Sequence, residues 1–192
     1  MNDPIIPNPT KTPAAAPQGE VNAVHRLSSD EGLGRTALAA NQDTDSNRKV
    51  IAILNELIET SKDGEKGFAL AAKDSKEPPL TILFSEGEQS CRAAAAELQD
   101  QVRTLGGNPE DGGSMKAAVH RGWISIKSAA TSRDSKAILE ECERGEDYAK
   151  AKYADAVKQN LPEQVRTLVE RQYQGVIANH DRVRDLRNQY QS

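Results

Sequence analysis

Apolar positions set the pattern of this chain. From Arg48 to Lys73 the residues Ile51, Leu54, Ile58, Ser61, Glu65, Phe68 and Ala72 step by three or four. That spacing predicts an amphipathic helix with two polar residues inside its stripe. Pro78-Pro79 closes this segment and opens a second helix to about Leu105, with Phe84, Glu88, Cys91, Ala95, Leu98, Val102 and Leu105 on one face. Gly106-Gly107-Asn108-Pro109 stops it, with glycine available for a left-handed cap. Met115 to Ala129 is a shorter amphipathic piece, and Thr131-Ser132-Arg133-Asp134 offers N-caps. The third long helix is predicted from Ser135 to Gln159, with Leu139, Cys142, Glu146, Ala149, Tyr153 and Ala156 inward. Asn160-Leu161-Pro162-Glu163 reads as stop and start, with Asn160 as cap, Pro162 in the first turn and Glu163 at the capping-box position. The fourth helix carries Val165, Val169, Tyr173, Val176, His180, Val183 and Leu186.

No strand pattern competes with these stripes. Four helices of about 25 residues, each roughly 38 Å long, suit a four-helix bundle. The first and second are joined tightly, as are the third and fourth, so each pair is expected to be antiparallel. About 28 residues separate the second from the third, enough to return along the bundle. The expected fold is all-α: a ferritin-like four-helix bundle with a long crossover containing a short helix between helices two and three.

Composition divides the chain. Five of nine prolines fall in the first seventeen residues, and no sustained periodicity precedes Ser46. Such a segment buries too little apolar surface to offset its ordering entropy. Residues 1–46 are therefore expected to be a disordered, Pro-rich tail, and 47–192 the bundle. The tail holds six acidic and three basic residues, so it carries −3 of the chain's net −4. The remainder is nearly neutral with mixed charges, which argues against a general polyanion binder, and no nucleic-acid partner is expected. No run of about 20 apolar residues is present, so no membrane span is expected. The first residues lack the basic start and apolar run of a secretory signal, which leaves a cytoplasmic location as the expectation.

The order and spacing of several strings, taken together, resemble a known family. They are Leu54-Asn55-Glu56-Leu57-Ile58-Glu59-Thr60, Asp63-Gly64-Glu65-Lys66-Gly67-Phe68, Ala96-Glu97-Leu98, Val102-Arg103-Thr104-Leu105-Gly106-Gly107, His120-Arg121-Gly122-Trp123, Glu143-Arg144-Gly145-Glu146-Asp147 and Asn179-His180-Asp181. Over residues 47–190 the chain resembles a family of uncharacterised, mainly proteobacterial, ferritin-like four-helix-bundle proteins classed as a domain of unknown function. The resemblance implies a fold and no established reaction.

Dinuclear iron and manganese bundles draw one Glu from each of two helices and a Glu-x-x-His pair from each of the others. Here Glu65, Glu88, Glu146 and His180 lie on the inner stripes, one per helix. At a rise of about 1.5 Å per residue, Glu65, Glu88 and His180 fall near one level, with Glu143 beside them and Glu146 about one turn lower. Glu65, Glu88, Glu143, Glu146 and His180 are thus the candidate metal ligands. Neither Glu-x-x-His motif is present: Ile177 stands three residues before His180, and Cys91 three after Glu88. His120-Arg121-Gly122-Trp123 reads as an anchor of the crossover helix. The run from Glu140 to Asp147 reads as a solvated acidic face, apart from Glu146. Cys91 and Cys142 read as packed, reduced thiols. No catalytic residue is assigned, and phosphate-loop and nucleophile-elbow strings are absent.

These features give two readings. The first is a non-enzymatic, cytoplasmic interaction or stress-associated bundle that self-associates through a helix face, with no cofactor. The second is an iron- or manganese-binding bundle with oxidative or storage activity.

Overall fold

The computed structural model describes residues 24–111 and 134–190, with side chains from residue 44 onward. Residues 1–23 and the expected crossover helix, with His120 and Trp123, lie outside the described residues. The chain divides into two units, Met1–Asp43 and Thr44–Ser192. Of the first, only backbone from Val24 is described, and it is helical.

The described residues form four helices and no strand. They are α1 (Val24–Asp74), α2 (Pro78–Thr104), α3 (Ser135–Val157) and α4 (Glu163–Gln189). The helix α1 starts well before the Arg48 expected from its stripe. Residues 24–47 contain no proline and several good helix formers, including Ala37, Ala39 and Ala40. Backbone propensity can therefore continue the helix without an apolar stripe to announce it.

Contacts between helices set their directions. Phe68 lies against Gly87 while Ile51 lies against Gly107, so α1 and α2 are antiparallel. In α3 and α4, Arg187 reaches Glu143 and Tyr153 reaches Gln172, which is again antiparallel. Arg182 pairs with Glu86 and Arg171 with Glu97, so α2 and α4 also run oppositely. It follows that α2 and α3 point the same way.

Local chemistry fixes the helix ends. Gly106, at φ 76°, sits where an L side chain is strained. Its N–H bonds Arg103 O at 2.9 Å, and Gly107 N–H bonds Val102 O at 2.9 Å, forming a Schellman motif. A Cβ on Gly107 would stand 2.9 Å from Ile51 Cδ1, so α1 packs directly on this turn. Gly106→Ala should cost about 1 kcal/mol, read as a lower denaturation midpoint, because its Cβ meets no neighbour and the strain alone acts.

Asp134 caps α3 as expected, accepting from Lys136 N at 3.0 Å and Ala137 N at 3.3 Å. The start of α4 differs from the sequence reading. Pro162 occupies the cap position itself, with no side-chain cap bond, and helix begins at Glu163. Buried Leu161 draws this linker inward. Arg166 then donates to Val157 O and Gln159 O at 3.0 Å each, satisfying carbonyls at the end of α3. At the other end of the bundle Glu77 joins three helices, accepting from Ser135 at the head of α3 and from Tyr190 at the tail of α4. Those two bonds, Ser135 first, hold the Glu77 carboxyl below the usual range.

The core is in two parts. One apolar cluster gathers Val50, Leu54, Leu57, Ile58, Leu98, Val102, Tyr153, Val165 and Val169. The other gathers Phe68, Ala71, Leu80, Leu83, Phe84, Ile138, Leu139, Cys142 and Val183. Between Ile58 and Phe68 on α1, and at the matching heights of the other helices, the interior turns polar and small.

Candidate functional site: a cavity at mid-bundle

The interruption is sequence-encoded on all four helices. Gly64 and Gly67 on α1, Ala93 and Ala94 on α2, Gly145 and Ala149 on α3, and Gly175 on α4 all line one space. Short side chains cannot fill the gap that helices of ordinary separation leave between them. The result is a cavity of about 480 Å³, within the usual size of small-molecule sites. Its lining residues Ala93, Glu97, Arg144, Tyr148 and Arg171 are exposed and form its rim.

One wall is a continuous chain of hydrogen bonds. The Ser61 hydroxyl lies 3.1 Å from Tyr153 Oη. Tyr153 in turn donates to Gln172 Oε1 at 3.0 Å. The Gln172 amide donates to Glu97 Oε2 at 2.8 Å and Ala94 O at 3.3 Å. Arg171 closes the chain on Glu97 at 3.0 Å. Burial pulls the Glu97 carboxyl upward, but the bonds from Gln172 and Arg171 outweigh it and its pKa is lowered. Burial pushes the Tyr153 hydroxyl well up, so it stays protonated. Every member of this wall has a partner, as buried polar groups require.

Glu146 does not. It is only 5% exposed, and its Oε2 is buried without a hydrogen-bond partner. Desolvation raises its pKa to about 7; a bond from Asn179 opposes the rise and the Asp147 charge adds to it. Two thiols share the cavity. Cys142 is buried and Cys91 half-buried, and both are free. Burial, with the Glu146 charge second, pushes each thiol far up, so neither is a nucleophile near neutrality.

The five candidate ligands are dispersed into separate partnerships. Glu65 and Glu88 come together, but on the guanidinium of Arg92: Nε lies 2.8 Å from Glu65 Oε1, and Nη2 bonds Glu88. Glu143 pairs with Arg187, at 3.2 Å from Nη2. His180 is buried, yet its Nε2 lies 3.0 Å from Asp147 Oδ1 and its Nδ1 3.0 Å from Asp181 Oδ1. Only Glu146 enters the cavity. Among the described residues, no group of three or more His, Cys, Asp or Glu is placed to hold a metal ion. The donors do not fit a dinuclear iron or manganese centre, which needs carboxylates free of arginine and converging on one point.

Sequence reasoning missed Gln172 and Asn179, which fall between the apolar positions assigned to α4. The available signal was Gln172-x-x-Gly175-x-x-x-Asn179, a polar and small face at helical spacing.

The fold and site define a helical-bundle protein with an internal ligand-sized cavity and no assembled metal centre among the described residues. The chain belongs to the family described as Domain of unknown function (DUF2383), whose model matches residues 49–159. The match runs from within α1 to just past the end of α3, and it stops short of the expected limit at residue 190. No curated protein matches the chain. Among the described residues no helix is long and apolar enough to cross a membrane.

Proposed function

We propose that this protein is a non-enzymatic, ferritin-like bundle that takes up a small molecule in its mid-bundle cavity. One observation carries the reading. A buried carboxyl with an unpartnered oxygen lines a cavity large enough for a ligand. Leaving such a group unpaired costs about 1–3 kcal/mol, and a ligand that pairs with it recovers that cost. The protonated thiols and the fully bonded tyrosine supply no activated nucleophile, which supports binding rather than turnover. A cytoplasmic, stress-associated role is the setting we propose for it. Self-association through a helix face belongs to the same proposed setting.

Gly175 provides the test. It lines the cavity on the helix face of Gln172 and Asn179, and a Cβ there meets nothing within 4 Å. Gly175→Leu should fill part of the cavity, and the helix should gain about 1 kcal/mol from the loss of glycine. In a ligand-observed NMR screen of uncharged and charged fragments, the wild-type protein should bind a subset that Gly175→Leu releases. A screen in which no fragment distinguishes the two proteins would contradict the reading.

A further inference from the structure

We infer that the ligand of this cavity is an organic ammonium: a compact apolar body carrying one protonated amine that pairs with the Glu146 carboxylate. The inference rests on the reading of the cavity as a ligand site and adds its chemistry.

The charges select a cation. Among the described residues the cavity lining holds Asp63, Glu97, Glu141 and Glu146 beside Arg144 and Arg171. Both arginines are engaged, Arg171 with Glu97 at 3.0 Å and Arg144 with Glu141 at 2.9 Å. Among the described residues no side-chain cation pairs with Glu146, and its unpartnered Oε2 is an acceptor waiting for a donor. An anionic ligand would meet Glu146 with like charge. A neutral donor would satisfy one lone pair but leave the buried charge uncompensated. An ammonium supplies both the hydrogen bond and the charge.

The walls suit the rest of such a molecule. Phe68, Tyr148 and Tyr153 line the cavity, offering apolar area and ring faces that attract cations. Tyr148 already receives one, with Lys152 Nζ 5.8 Å from its ring centroid. The small residues leave room for an apolar body beside them.

Binding should depend on pH through Glu146. Titratable and charged groups stand near it on all four helices. From α1, Asp63 lines the same space. From α2 come Cys91, whose thiol stays protonated, and Glu97, held ionised by Gln172 and Arg171. On α3 itself, Cys142 and Tyr153 stay protonated, and Asp147 reaches His180 at 3.0 Å. From α4, Asn179 bonds Glu146 without titrating, Arg171 is paired with Glu97, and His180 is held between Asp147 and Asp181.

Calorimetric titration of the full chain with benzylamine, benzyl alcohol and benzoate tests the inference. The three probes share a ring and differ in charge. Benzylamine should bind at least tenfold more tightly than the other two at pH 8. Its affinity should rise about tenfold from pH 6 to pH 8, as the ionised fraction of a carboxyl with a pKa about 7 rises. Glu146→Gln should lose at least tenfold in affinity and all of that pH dependence. Gly175→Leu, which keeps the carboxyl, should also lose binding. Equal binding of benzyl alcohol, or an undiminished affinity in Glu146→Gln, overturns the ammonium inference; loss of that binding in Gly175→Leu then shows that the cavity reading survives it. Failure of benzylamine to bind also overturns the inference, and the fragment screen decides the cavity reading separately.

Discussion

Replacing Glu146 by Gln should stabilise the protein at pH 8 and leave its stability nearly unchanged at pH 4. The sign follows from proton binding. The folded carboxyl has its pKa raised to about 7 from an ordinary 4.5, chiefly by desolvation. Between those values the folded state holds a proton that the unfolded state has released. Stability contributed by this group therefore falls as pH rises through the interval, and the full penalty is present above the folded value. At about 1.4 kcal/mol per pKa unit, the wild-type protein carries roughly 3 kcal/mol of strain at alkaline pH that the amide does not. Denaturant unfolding of both proteins at pH 4, 6 and 8 should show curves that diverge upward in pH. Parallel curves would mean that Glu146 ionises freely and that its burial is relieved by solvent.

The second large effect concerns Tyr153, which is 1% exposed and belongs to both the apolar core and the hydrogen-bonded wall. Tyr153→Ala should cost about 3–5 kcal/mol, because an aromatic ring is removed from a packed site and a void remains. Tyr153→Phe keeps the ring and should cost about 1–3 kcal/mol, because Gln172 Oε1 loses its donor in a buried setting. Unfolding midpoints with unchanged denaturant slopes would measure both. A Phe variant as damaged as the Ala variant would place the stability in the hydroxyl chain. An undamaged Ala variant would contradict the packing of the core around this ring.

The helices were legible because their signals are local. Val165, Val169 and Val183 repeat at helical spacing, and Pro78-Pro79 and Gly106-Gly107 punctuate without reference to tertiary structure. The early start of α1 was hidden because residues 24–47 have propensity without an apolar stripe. At Pro162 the local rule for helix starts gave way to the burial of Leu161.

The site was legible only in part. Glu146 stood out as an acid at an apolar position, and it does face inward. Glu65 and Glu88 occupied equivalent positions but lie at the edge of the interior, where Arg92 from the neighbouring turn reaches both. A stripe specifies a face to within about a residue width, and long side chains then choose between the cavity and the rim. His180 was legible as buried but not as partnered, since Asp147 comes from another helix. The cavity itself was written in small residues on four separate helices. Their common height becomes visible only when the helices are set side by side.

Glu146 stands buried at the wall of an open cavity, bonded by Asn179 but with its Oε2 lacking a partner and open to a cationic ligand. The most direct measurement is an NMR titration of the Glu146 side-chain carboxyl carbon, assigned by comparison with Glu146→Gln, with and without benzylamine. The expected result is a midpoint at about 7 in the free protein and a clear downward displacement when the amine is bound. A midpoint near the ordinary 4.5, unmoved by the amine, would contradict it.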